Sequence, residues 1–116
     1  MAEPDGMSLA KAQAFRLTQC ALALDRANDG GVPVSKALTN ALLDNLETWV
    51  AMKTFVDSES CAYDDMTKGN LARLCAYVFD KTLAFRDGVA PEVLNSLINL
   101  NFQIAEGLLE GERNRR

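Results

Sequence analysis

The sequence contains no histidine. That removes imidazole acid–base chemistry, Ser-His-Asp and Cys-His nucleophilic sites, and most zinc sites. It holds three cysteines, Cys20, Cys61 and Cys75, with no CxxC pair among them. An odd, widely spaced set argues for free thiols in a reducing compartment rather than a disulfide framework. Cys20 and Cys75 stand in apolar, helix-like context and are expected to pack as small hydrophobes. Proline and glycine are few, at 3 and 7 residues, so long uninterrupted helices are permitted. No apolar run approaches the ~18 residues of a membrane span, so no membrane association is expected. The opening MAEPDG is acidic where a secretory signal would be basic, and no apolar h-region follows. A cytoplasmic location is the expectation. Positive charge is also in deficit, with 12 Lys and Arg against 16 Asp and Glu, a net of −4. Nucleic-acid binders carry a basic surplus or a concentrated basic face, so no direct contact with RNA or DNA is expected.

No catalytic constellation fills the gap. Asp44 and Glu47 come nearest to paired carboxylates, but no second catalytic residue type accompanies them, and a solvated helix face explains both. The acidic stretch Asp57 to Asp65 holds Asp57, Glu59, Asp64 and Asp65. It lacks the spacing and the glycine of a calcium loop and reads as a solvated connector. The expectation is therefore a non-enzymatic protein with no metal and no cofactor.

What is present is helical periodicity. The 116 residues, 48% hydrophobic and 24% charged, suit one domain with one core. Residues 1–7 carry Pro4 and Gly6 without periodicity and read as a flexible lead. Ser8 is a candidate N-cap for a first helix, Leu9 to about Ala27. The apolar stripe of that helix is read as Ala12, Phe15 and Leu22, although Leu17, Cys20, Ala21 and Leu24 line the opposite side. Asn28-Asp29-Gly30-Gly31 stops it, and Val32-Pro33-Val34 forms an extended connector. Ser35 then caps a second helix, Lys36 to about Val56, with Leu38, Leu42, Leu46, Trp49, Met52 and Val56 on its apolar face and Asn45 among them. A third helix, capped by Asp65 or Thr67, runs from about Met66 to Arg86 with Leu71, Leu74, Cys75, Val78 and Phe85 inward. Asp87-Gly88 ends it. The fourth, Glu92 to Glu110, carries Leu94, Leu97, Ile98, Ile104, Leu108 and Leu109 on one face, because a helix turns about 100° per residue. Pro91 suits its first turn, Gly111 ends it, and 111–116 is a charged tail. Short connections favour antiparallel neighbours, so the fold class is all-α, a small single-domain antiparallel bundle of about four helices over residues 8–110.

Two features of this pattern are irregular. Asn45 and Asn101 each interrupt an apolar face, and a buried amide left without a hydrogen bond costs about 1–3 kcal/mol. They either bond each other and fix helix register, as buried asparagines do in coiled coils, or line a groove for a bound helix. Gly107 costs up to about 1 kcal/mol in a helix interior. Close helix–helix approach or a partner lying across it would compensate.

The segment Leu97-Ile98-Asn99-Leu100-Asn101-Phe102-Gln103-Ile104-Ala105-Glu106-Gly107-Leu108 resembles the closing motif of the bacterial FlaF family, LI-x-(I/L)-N-x-x-I-x-E-G-L, at each fixed position. Upstream, Ala41-Leu42-x-x-Asn45-x-x-x-Trp49 resembles the family block A-(I/L)-x-x-N-x-x-x-W. Leu74, Val78, Lys81-Thr82 and Gly88 resemble the intervening blocks. The resemblance covers residues 36–109 and departs at the first helix, where Ser8-Leu9-Ala10-Lys11 and Phe15-Arg16 replace a Pro-Arg-Glu-like start. It implies an all-helical, non-enzymatic regulator of flagellar biosynthesis that binds flagellin as a secretion chaperone does, in functional relation to FlbT. It singles out Asn45, Trp49, Leu97, Ile98, Asn101, Ile104, Gly107 and Leu108 as partner-binding or motif residues. Two other classes remain open: an adaptor or antitoxin-like protein unrelated to flagella, and an RNA-binding regulator in which Lys68, Arg73, Lys81, Arg86 and the arginine tail would converge. The sequence leaves the oligomeric state undefined.

Overall fold

The computed structural model describes residues 9–28, 35–59, 61, 63–84 and 90–114, with the side chains of 112 and 114 excepted. The lead 1–7, the Ser8 cap, the Asp29–Gly31 stop, the 32–34 connector, the Phe85–Gly88 end of the third helix and Arg115–Arg116 lie outside the described residues. Four helices are present: α1 (Leu9–Ala27), α2 (Lys36–Val56), α3 (Asp65–Ala84) and α4 (Pro91–Asn114). No strand occurs among the described residues. The protein is a small all-α bundle.

Local chemistry sets the helix ends. Ser35 sits in extended backbone, and its Oγ accepts from Leu38 N at 3.1 Å, satisfying one orphan donor of α2. At the other end of α2, Lys53 pairs with Asp57 one turn on. The α3 cap is neither Asp65 nor Thr67. Asp64 Oδ1 accepts from Thr67 N at 2.7 Å, which shifts the cap one residue upstream and leaves Asp65 in the first turn, where its charge meets the helix dipole. Pro91 opens α4, and the Ala90 carbonyl accepts from both Val93 N and Leu94 N. Gly111 does not end α4. The helix continues to Asn114.

α1 lies between α2 and α4, and α2 lies between α1 and α3. The pairs Arg16–Thr48 and Cys20–Asp44 run in opposite directions along their helices, so α1 and α2 are antiparallel. The core takes Leu17, Leu24, Trp49, Val78, Leu94 and Leu97 as its fully buried large side chains. α1 buries the face carrying Ala10, Ala14, Leu17, Cys20, Ala21 and Leu24. This overturns the stripe expected from its sequence: Phe15 is 56% exposed and Leu22 44%. Small residues win because three alanines on one side let α4 approach the α1 backbone closely, which Phe15 would prevent. On α4, Leu109 is exposed, and Ala105 takes the inward position expected of it.

The acidic connector is solvated at its four acids, Asp57, Glu59, Asp64 and Asp65, but two of its other residues turn inward. Cys61 and Tyr63 are 8% and 9% exposed and belong to the core. The Tyr63 ring meets Phe55 edge-on at 5.7 Å between centroids, and its hydroxyl donates to Gln13 Oε1 at 2.8 Å. An aromatic among acids folds inward when it finds both an apolar wall and a polar partner. Tyr63→Phe is expected to cost about 0.5–1.5 kcal/mol in urea denaturation, because the ring contact survives and the Gln13 bond does not.

Candidate functional site

Two features of the bundle can carry function: a buried amide cluster at its centre and a cleft on its surface. The first joins three helices. Asn101 of α4 donates through Nδ2 to the Leu17 carbonyl of α1 at 3.1 Å and to Asn45 Oδ1 of α2 at 2.7 Å. Its Oδ1 accepts from Trp49 Nε1 at 3.0 Å. Asn45, Trp49 and Asn101 are fully buried. Each bond in such dry surroundings is directional, so the cluster fixes rotation and register of α1, α2 and α4 at once. One donor is left over: Asn45 Nδ2 has no partner among the described residues. Asn101 thus carries three bonds and Asn45 one.

α3 joins from the other side. The Cys75 thiol donates to the Trp49 carbonyl at 3.4 Å, and Tyr77 and Ser96 share a hydroxyl bond of 2.9 Å with α4. Burial pushes the Cys75 thiol up to about 11, with Lys53 pulling it down and Asp57 pushing it up. It stays protonated at neutral pH and serves as a donor, not a nucleophile. All three cysteines are free and buried.

Of the residues singled out from sequence, Asn45, Trp49, Leu97, Ile98, Asn101 and Leu108 are buried, and Ile104 is half-buried. Asn45 and Asn101 therefore bond each other inside the core and line no groove. Gly107 is exposed, and a Cβ built there would meet nothing within 4 Å. Close helix approach among the described residues does not account for this glycine.

The second feature lies between α1 and α2. It is a cleft of about 450 Å³ lined by Leu9, Ala12, Gln13, Arg16, Glu47, Thr48, Ala51, Met52 and Phe55. Its walls are braced across the two helices. Arg16 donates to Thr48 Oγ1 at 3.1 Å, and Thr48 in turn donates to the Asp44 carbonyl at 2.9 Å. Tyr63 holds Phe55 on one wall and Gln13 on the other. Sequence reasoning missed this site. Most of its residues fall on the borders of the helix faces rather than at their centres; from sequence Ala12 and Met52 are read as apolar-face positions, Glu47 as a solvated acid, and Leu9 and Arg16 as part of the departure from the family pattern, but none as a lining.

The amide cluster gives an ordered set of mutational costs. Asn101→Leu strands Trp49 Nε1 and the whole Asn45 amide and is expected to destabilise by about 3 kcal/mol or more. Asn45→Leu loses one bond and removes an orphan donor, for a cost of about 1 kcal/mol. Equal costs in chemical denaturation would show that Asn101 is not the hub. Gly107→Ala is expected to stabilise by about 0.5–1 kcal/mol, since it adds helix propensity and meets no obstacle.

The comparisons with known proteins bear on the whole chain. No curated protein and no solved structure gave a match. The family FlaF, described as flagellar protein FlaF, matches residues 6–108. That span takes in α1 as well as the 36–109 region whose motifs carry the resemblance, so the divergent first helix lies inside the family domain. The match covers all four helices up to Leu108, and Leu97, Ile98, Asn101 and Leu108 of the closing motif are buried in the core: the chain belongs to the FlaF family of flagellar proteins.

Proposed function

We propose that this protein is a non-enzymatic, cytoplasmic factor of flagellar biosynthesis that binds flagellin and supports its synthesis and export, in functional relation to FlbT. The observation that carries this reading is the family match joined to an open, braced, largely apolar cleft on a small helical scaffold. Flagellin ends in amphipathic helices that must stay unpolymerised before export, and a helix bundle with a free groove covers such helices by helix-in-groove binding. The most deeply buried motif residues serve the scaffold and keep the groove in shape before the partner arrives, which lowers the ordering cost of binding.

The basic residues favour a protein partner over RNA. Lys53 is paired with Asp57, Lys81 lies 3.9 Å from Asp80 and over the Tyr77 ring, and Arg113 lies 3.9 Å from Glu110. Lys68, Arg73 and Lys81 are spaced around α3 and do not share one face.

Calorimetric titration of the purified protein with flagellin from the same organism tests the proposal. Saturable binding is expected at micromolar concentrations. Absence of heat at tens of micromolar, with circular dichroism confirming the helical fold, overturns it.

A further inference from the structure

The amide hub holds three of the four helices. Its groups come from α4, α2 and α1, and α3 contributes none. α3 also turns the fewest side chains into the core: Leu71, Cys75 and Val78, against six on α1 and eight on α2. Leu74 and Tyr77 are only half-buried, and Met66, Ala76, Leu83 and Ala84 are exposed. The helix packs mainly on α2. Among the described residues two polar contacts tie its side chains to other helices. One is the weak thiol bond from Cys75 to the Trp49 carbonyl, and the other is the partly exposed hydroxyl pair Tyr77–Ser96. Its charged groups make local contacts, Arg73 with Asn70 and Lys81 with Asp80. Thr82 Oγ1 is buried without a partner among the described residues, which weakens docking.

The helix is also weak in itself. Gly69 stands in its second turn, where a Cβ would meet only the far end of the Arg73 side chain, at 3.8 Å. No close approach requires glycine there, so it lowers helix propensity with no gain in packing. A helix of 20 residues released into water is marginal. α3 is therefore helical because it is docked. We propose that α3 is a detachable helix: it leaves α2 and α4 and unfolds as a unit while α1, α2 and α4 stay assembled on the amide hub, which bares the stretch of α2 around the Trp49 carbonyl. The inference rests on the fold alone and does not need the flagellin reading. Opening α4 breaks three buried hydrogen bonds and strands the amides that made them. Opening α3 breaks one thiol bond and one hydroxyl bond and returns Thr82 to water. Local openings follow the elements with least burial and fewest buried bonds. Docked and undocked α3 thus form a two-state element, and any ligand that prefers one state shifts the balance.

Hydrogen exchange of the full chain, read peptide by peptide by mass spectrometry with alkylation of Cys75 followed in parallel, tests the proposal. The central amides of α3, Leu71 to Phe79, are expected to exchange at least about tenfold faster than the central amides of α1 and α4, although all lie within α-helix. Cys75, sealed against Trp49 in the docked state, should alkylate with the same opening constant as those amides. Gly69→Ala should slow exchange in α3 about two- to fivefold. Gly107→Ala strengthens α4, and should slow α1 and α4 by about the same factor while leaving α3 unchanged. Neither added methyl meets an obstacle, so both variants are expected to fold. Equal exchange in all four helices, or a slowing of α3 by Gly107→Ala, would show that the bundle opens as one body and would overturn the proposal. Fast α3 amides beside an unreactive Cys75 would mean that the helix frays in place without leaving α2, which overturns it as well.

Discussion

The bundle depends on the amide of Asn101. A single side chain on α4 saturates its two donors and its carbonyl with groups from α1 and α2, in surroundings from which water is excluded. Apolar contacts alone let helices slide and rotate at small cost, because leucine fits many holes. A buried amide does not allow this: any rotation of α4 by one residue breaks three bonds and leaves unsatisfied polar groups in the core. Trp49, the largest side chain of the core, is held by its ring N–H to the same amide, so its bulk and its polar edge are fixed together.

The position of that hub decides which face of α1 turns inward. Asn101 must reach the Leu17 carbonyl in the middle of a helix whose own ladder already uses that group. The second lone pair is available only if α4 comes close to the α1 backbone. Ala10, Ala14 and Ala21 make the approach possible, and Phe15 and Leu22 are turned to solvent as the consequence. α1 therefore presents apolar surface on both sides, and its border with α2 becomes a cleft rather than a closed seam. Arg16, Thr48, Gln13 and Tyr63 brace this cleft by cross-helix hydrogen bonds, which keep an apolar trough open in a protein small enough to close it by collapse. Family membership gives such a trough a flagellar setting.

The division between sequence and tertiary structure follows from the range of the forces involved. Local rules were sufficient for the elements. Periodicity located α1 and α2 at their observed ends, Ser35 was readable as a cap, and Pro91 as an opening residue, because each acts within one turn of its own position. Asn45 and Asn101 stood out in the same way, as polar breaks in apolar faces. That they bond each other, and that Trp49 and Leu17 join them, depends on a meeting of residues 52, 56 and 84 positions apart. The misreadings have the same origin. Hydrophobicity favoured Phe15 over Ala14 for the core of α1, and only the closeness of α4 reverses that order. Composition placed Tyr63 and Cys61 in water, and only the nearness of Phe55 and Gln13 brings Tyr63 inside. The reason Gly107 suits α4 lies neither in its own helix nor in its neighbours among the described residues. The sequence by itself thus determined four helices, the Ser35 cap, the family motif and the polar hub residues. Tertiary structure alone decided which face of α1 is buried and where the open cleft lies, since both depend on how closely two helix backbones approach across distances that no local pattern encodes.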